Sequence, residues 1–273
     1  MILNVRHRTT YHYTPAVSGV AMRLKLFPSR FDGQKPLRWA VSVNGEEVRP
    51  DLRNGYGDEV ATVFLRGGVD MVEVIAEGVV ETADLAGVLR GFRAPLRPAV
   101  CLRETPRTRA DAAIRALAAE ADATGGAPID RAHALQDLVS ARVAYVTGST
   151  SAATTAAASL AAGKGVCQDH AHIIIAAARA LGWPARYVAG YYLPSALGAE
   201  DVATHAWAEV WIERLGWVGF DASNDLCPTD AYIRLCSGLD AADAAPIRGH
   251  TEGLASETLD VDVSVTPTAQ DQQ

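Results

Sequence analysis

Several protein classes are excluded by what this 273-residue sequence has little of. It carries only four cysteines, Cys101, Cys167, Cys227 and Cys236, with no Cys-x-x-Cys pair and no regular spacing. Neither a zinc-ribbon pattern nor a disulfide-dense scaffold is compatible with that, and most of the thiols are expected to be reduced and inert. There is no block of Lys or Arg, and 32 acidic against 25 basic residues leave a formal charge of -7. A surface that tracks nucleic-acid phosphates needs the opposite balance, so no nucleic-acid partner is expected. The longest apolar run of helical length, around Ile173, Ile174 and Ile175, is interrupted by Arg179 and bounded by His172. It falls well short of the ~20 residues that span a bilayer, so no membrane partner is expected either. Residues Met1 to Arg8 lack the apolar stretch of roughly 7–15 residues found in secretory signals. A cytoplasmic location is the expectation, with thiols kept reduced by glutathione. No Asp-x-Asp-x-Asp-Gly loop points to calcium, no internal repeat is visible, and no cofactor is expected.

What is present divides into two compositions. Over residues 2–82 short alternating runs are separated by turn residues: Ala21 to Phe27 before Pro28, Trp39 to Val43, Val60 to Leu65, and Val69 to Val80. Asn44-Gly45 predicts a hairpin between Val41-Ser42-Val43 and Glu46-Glu47-Val48. Strands at this spacing suggest a sandwich or open barrel. Pro95, Pro98 and Pro106 then punctuate an aperiodic stretch from Arg93 to Arg109, which reads as a linker. Beyond it the chain is alanine-rich and helical over 108–122 and 130–142, with a short helix ending at Gly163 and a long apolar one from about Cys167 to Leu181. Strands follow at 185–193, 204–212 and 217–221, then a loop-rich stretch, a last strand at 259–265 and a polar tail. The expected fold is α+β: an N-terminal β-sandwich-like domain over 1–103, then helices packed on an antiparallel sheet over 104–273, including the last strand and the tail.

The chemistry concentrates at Gly163-Lys164-Gly165-Val166-Cys167-Gln168-Asp169. A cysteine in the first turn of a helix sits where free N–H groups and the helix dipole favour the thiolate. The same N–H groups can later bind a developing oxyanion. His205 opens the strand Thr204-His205-Ala206-Trp207-Ala208-Glu209-Val210-Trp211, and Asp221 ends the strand after Gly216. If Ile212 pairs with Gly216 around a three-residue turn, Trp207 lies opposite Asp221 and His205 is its diagonal neighbour, close enough to share a hydrogen bond. A slip of one residue would destroy this arrangement. Cys167 as nucleophile, His205 as base and later acid, and Asp221 as orienter form the three-part arrangement of cysteine acyl transfer.

Other residues carry a plain reading beside the functional one. Asp169 is expected to satisfy N–H groups of the first helical turn rather than to act as a catalytic acid. Cys167 and His170 share a helix face and could, with His205, suggest a zinc site, but the ligand spacing is not preorganised and no metal is expected. Trp207, Trp211 and Trp217 could line an acyl-binding groove, though packing in the core is the stronger expectation. Tyr145 is a candidate second oxyanion donor, with packing as the alternative.

Four blocks resemble the core of the transglutaminase-like superfamily in its bacterial branch. They are Gly165-Val166-Cys167-Gln168-Asp169-x-Ala171-His172, the run from Ala177 to Tyr191 containing Arg179-Ala180-Leu181-Gly182-x-Pro184, then His205-Ala206-Trp207-x-Glu209-Val210, and Gly216-Trp217-Val218-Gly219-Phe220-Asp221. They fall in family order within residues 130–250. Tyr11-x-Tyr13 and Arg23-Leu24-x-Leu26-x-Pro28 similarly resemble the N-terminal domain that accompanies this core. The resemblance implies a papain-like catalytic core with a Cys-His-Asp triad, carried here on Cys167, His205 and Asp221. The chain departs from the branch at His170, where an aromatic residue is usual. It also has Asp221-Ala222-Ser223 in place of Asp-Pro-Thr, and Gly238-Leu239-Asp240-Ala241 in place of Gly-Arg-Asp-Tyr. These departures are expected at substrate-side walls. The function implied is a cysteine-dependent enzyme acting on amide bonds of peptides or proteins through a thioester, with hydrolysis favoured over transamidation. The alternatives are a cross-linking transglutaminase and a non-catalytic scaffold that keeps the fold.

Overall fold

The protein is described from a computed structural model that covers residues 1–194 and 204–268. The polar tail beyond residue 268 lies outside the described residues. The first half of the chain forms β1 (Ile2–Leu24), β2 (Gln34–Val43), β3 (Glu46–Val48), β4 (Leu52–Arg53) and β5 (Glu59–Thr82). The separate short strands expected here are fused: β1 and β5 run for 23 and 24 residues and pair antiparallel almost throughout. Register shifts between His12 and Gly19 mark the irregularity that lets so long a pair bend. The hairpin between β2 and β3 turns on Asn44 and Gly45, both at positive φ (49° and 83°), in the register that the Asn-Gly pair predicts.

The second half contains α1 (Ala112–Ala123), α2 (Pro128–Arg142), β6 (Ala144–Tyr145), α3 (Ala156–Ala162), β7 (Lys164–Gly165) and α4 (Cys167–Ala180). It continues with β8 (Ala185–Tyr192), β9 (Thr204–Ile212), β10 (Gly216–Phe220), β11 (Tyr232–Gly238), β12 (Ile247–Glu252) and β13 (Ser256–Pro267). Strands β8 to β11 make a four-stranded antiparallel sheet in the order β10-β9-β8-β11. Helix α4 is buried from Asp169 to Arg179 because apolar residues surround it on every side: α1, α2 and α3 on one flank, and Ala206, Ala208, Val210 and Ile212 of β9 on the other. Among the described residues no helix is long and apolar enough to cross a membrane.

Three expectations need correction. The stretch after Ala222 is not merely loop. Strand β11 was hidden because it is buried on both faces and carries Arg234 and Ser237, so it shows no alternation. The last strand does not extend the core assigned to 104–273: both β12 and β13 are hydrogen-bonded to β1. The seven-stranded sheet is therefore built from both ends of the chain, and its apolar face packs on Tyr191 of β8 and on Ile233, Leu235 and Cys236 of β11. Third, the proline-punctuated linker is held down. It forms 3-10 turns at Pro98–Leu102 and Pro106–Thr108, and the buried Arg179 donates to the Cys101 carbonyl (2.8 Å) and to Thr108 Oγ1 (2.6 Å).

Candidate active site

Two local devices place Cys167. Gly165 lies so close to α4 that a Cβ there would come within 2.6 Å of Asp169 Cβ and 2.7 Å of Ser159 Oγ. Glycine is what allows strand β7 to enter the helix at this angle. Asp169 then ties the first turn, its Oδ2 accepting from the Val166 N–H (2.9 Å) and from Thr150 Oγ1 (2.6 Å). That is the local role expected of it. Cys167 is the first residue of α4, half-buried, at the end where the leading N–H groups have no intrahelical acceptor.

His205 approaches from the start of β9 and lines the same groove as Cys167. On its other side His205 Nε2 donates to Asp221 Oδ2 at 2.6 Å. The register behind this contact is the one that the three-residue turn predicts: Gly216 opposite Ile212, continuing to Phe220 opposite Ala208. With Nε2 committed to Asp221, Nδ1 is the nitrogen left to serve the thiol.

Asp221 is saturated with donors. Oδ2 also accepts from Asn224 Nδ2 (2.8 Å) and from the Tyr232 hydroxyl (2.7 Å). Oδ1 accepts from the Ser223 N–H (3.0 Å) and hydroxyl (2.5 Å). Burial alone would raise its pKa, but the hydrogen bonds from His205, Ser223 and Tyr232 and the charge of His205 bring it down to about 2. Burial likewise pushes His205 down, and its hydrogen bonds to Asp221 and Cys167 more than reverse this, raising it to about 10. The result is an imidazolium held by a fixed carboxylate in the groove that Cys167 lines.

The remaining candidates are placed elsewhere. The two ring nitrogens of His170 lie 2.9 Å from the Val166 carbonyl and 2.8 Å from the Val143 carbonyl, so the ring braces the helix start against the end of α2. Among the described residues no group of three or more His, Cys, Asp or Glu is placed to hold a metal ion. Trp207 is buried against Val188 and Tyr232, and Trp217 is buried with Trp211 packed edge-on against it (5.5 Å). Tyr145 pairs with Gly165 across the short parallel bridge and stacks on His170 (6.3 Å). The other three thiols are held protonated by burial: Cys227 is pushed up to about 11, and Cys101 and Cys236 are also raised.

The departures expected at substrate walls serve inner roles instead. Ser223 binds Asp221, His170 braces α4, Leu239 is buried, and the Ala241 N–H donates to His172 Nε2 (3.1 Å). Asn224 and Tyr232 also position Asp221, and nothing local in the sequence points to them. Asn224 is three residues from Asp221 in a turn, but Tyr232 arrives on the unrecognised strand β11.

A groove of about 380 Å³ opens at Cys167 and His205. It runs between β8 and β9 on one side and β1 with β13 on the other.

A helix-borne cysteine, a strand-borne histidine and a buried carboxylate on the next strand are the ingredients of cysteine-dependent acyl-transfer folds. Residues 115–222 match the Transglutaminase-like superfamily, and residues 3–81 match the Bacterial transglutaminase-like N-terminal region. The chain thus carries a transglutaminase-like core behind a bacterial transglutaminase-like N-terminal region. It is similar to an uncharacterized protein of Mycobacterium leprae, 29% identical over 97% of this chain and 98% of that protein. An uncharacterized protein of Mycobacterium tuberculosis is 28% identical over 96% of this chain and 92% of its own. Among solved structures it resembles one from Cytophaga hutchinsonii described as a "putative cysteine protease", with 25% identity, a TM-score of 0.74, and coverage of 99% of this chain and 92% of that one.

Proposed function

We propose that the protein is an amide hydrolase of peptides or proteins in which Cys167 is the nucleophile, His205 the general base and acid, and Asp221 the residue that orients His205. The observation that carries this reading is the position of His205, lining one groove with Cys167 and hydrogen-bonded to a carboxylate fixed by five hydrogen bonds. The Cys167 thiolate adds to the amide carbonyl carbon, and the oxyanion develops against the leading N–H groups of α4. The C–N bond then breaks, His205 gives its proton to the departing nitrogen, and a thioester remains. Water, deprotonated by His205, adds to the thioester and expels the thiolate, releasing a carboxylic acid.

Hydrolysis is favoured because the groove is open to solvent, so water reaches the thioester without a dedicated site. An amide-hydrolysis assay run beside an amine-incorporation assay tests the choice. Peptide cleavage or deamidation exceeding amine incorporation supports the reading, whereas dominant amine incorporation makes the protein a cross-linking enzyme. Cys167→Ser is expected to lose turnover in either assay by about 10⁴-fold or more. Full activity in that variant contradicts the assignment, and no activity in the wild-type protein on any amide favours a scaffold.

A further inference from the structure

The side of the groove facing Cys167 comes from the two ends of the chain. Strand β1 pairs with β13 so that Tyr11 faces Leu259 and Thr9 faces Val261. Alternation puts these residues, with His7, on one side of the sheet, and all five line the groove. Further along the same pair of strands, Val263 and Val265 pack into the core beneath. Leu259 and Val261 do not: they remain 51% and 48% exposed, apolar side chains overhanging the groove beside the thiol.

Among the described residues lining this groove there is no Asp, Glu, Lys or Arg. Its polar members are also neutral. His7 is lowered to about 4 by burial, with its Nδ1 at 2.8 Å from the Tyr191 hydroxyl and its Nε2 at 3.0 Å from Thr9 Oγ1. Tyr11 is raised to about 12 and Tyr187 well above its ordinary value, both chiefly by burial. Among the described residues, apart from the Cys167–His205 pair, no group lining the groove offers a charged guest a partner, and burying a charge without one is costly. Glu257, whose charge helps to raise Tyr11, stands opposite Tyr13 outside the lining.

We infer that the wall made by β1 and β13 selects an uncharged, apolar side chain, so that the amide presented to Cys167 belongs to a peptide with an apolar residue on the acyl side of the bond. This rests on the acyl-transfer reading and names the substrate class of the same groove. The acyl side is assigned because the acyl group stays bonded to Cys167 Sγ in the thioester while the amine departs. The chain that occupies the space against Sγ throughout the cycle is therefore the acyl chain.

Peptidyl fluoromethyl ketones that differ only in the side chain next to the ketone, Leu, Asp or Lys, test this on the full-length protein. Each rate of Cys167 alkylation is divided by that of iodoacetamide, which is too small to need the wall. The Leu reagent is expected to exceed both charged ones by about tenfold or more, the discrimination that an apolar pocket supplies. Val261→Asp, on an exposed strand position, is expected to lower the Leu ratio and raise the Lys ratio. Rapid iodoacetamide reaction at Cys167 with the three ketones within about threefold of one another overturns the inference and leaves the acyl-transfer reading standing. Ratios unchanged in Val261→Asp overturn it as well. An iodoacetamide reaction at Cys167 no faster than at Cys227 overturns both.

Discussion

His205 and Glu209 project from the same side of β9, one full strand repeat beyond the intervening Trp207, and each is the centre of a buried ionic cluster. Glu209 is held by Arg186 Nε (2.6 Å) and Arg234 Nε (2.8 Å), and Arg234 continues to Ser29 Oγ (2.7 Å) and Asp58 Oδ1 (3.5 Å). Arg186 also lies over the Trp217 ring at 4.0 Å. Both carboxylate oxygens are used, and the cavity beside the cluster is about 30 Å³, room for about one water. This end of the strand ties the two sheets together. At the other end the carboxylate of Asp221 is as thoroughly bonded, but its partner His205 keeps one ring nitrogen for Cys167 and faces a groove of about 380 Å³. Two charge clusters of similar burial thus differ in what is left over: one is closed off from solvent, with Arg186 Nη2 buried and unpaired, and the other keeps a ring nitrogen that Asp221 does not use, in the groove lined by Cys167.

Removing the carboxylate at each end separates the two. Asp221→Ala is expected to lower turnover by about 10²–10⁴-fold through loss of His205 orientation, with some residual acyl transfer. Full wild-type kcat in that variant would mean that the two clusters are functionally alike. Glu209→Ala strands two arginines in the core and is expected to cost about 3–5 kcal/mol of stability, read as a fall in the denaturation midpoint. Iodoacetamide reactivity of Cys167 per folded molecule should be retained there, and its loss would place Glu209 in the active site. Tyr232→Phe removes one of five donors to Asp221 and is expected to cost about 1.5–3 kcal/mol, the value of a hydrogen bond to a charged group.

The pH dependence sharpens the contrast further. The Asp221 carboxyl is held below its ordinary value of 3.8, so its contribution to stability is complete above that pH and is lost as pH falls through about 2. His205 is held above its ordinary 6.5, so its contribution is complete below 6.5 and is lost as pH rises through about 10. The pair therefore stabilises most between those two ordinary values. Hydrolysis is expected to fall as pH passes about 10, where His205 no longer carries the proton for the leaving amine, while alkylation of Cys167 continues. A hydrolysis rate that stays level through that range would remove His205 from the acid role.

The legible parts of the sequence were those governed by local chemistry. Gly165 before Cys167, the turn between Ile212 and Gly216, and the small apolar residues of β9 each announce their geometry through neighbours in the chain. Helix α4 and the His205–Asp221 register could be read for that reason. What stayed hidden depends on distant partners. Tyr11 and Leu259 meet across almost the whole length of the chain, and neither residue type signals the other. A charged Arg234 in a fully buried strand makes sense only once Glu209 and Asp58 pair with it, so the local pattern does not show β11, nor the Tyr232 hydroxyl that fixes Asp221. The long fused strands were read as fragments because Gly67-Gly68 and Pro15 look like turns in isolation.

If His205 makes one thiol of four reactive, iodoacetamide alkylation at pH 6, resolved cysteine by cysteine by mass spectrometry in the wild type and in His205→Ala, reads it directly. Rapid modification confined to Cys167 is expected in the wild type and is lost in the variant, with Cys101, Cys227 and Cys236 slow in both. Equal rates at Cys167 and Cys227, or a Cys167 rate unaffected by removal of the imidazole, would contradict it.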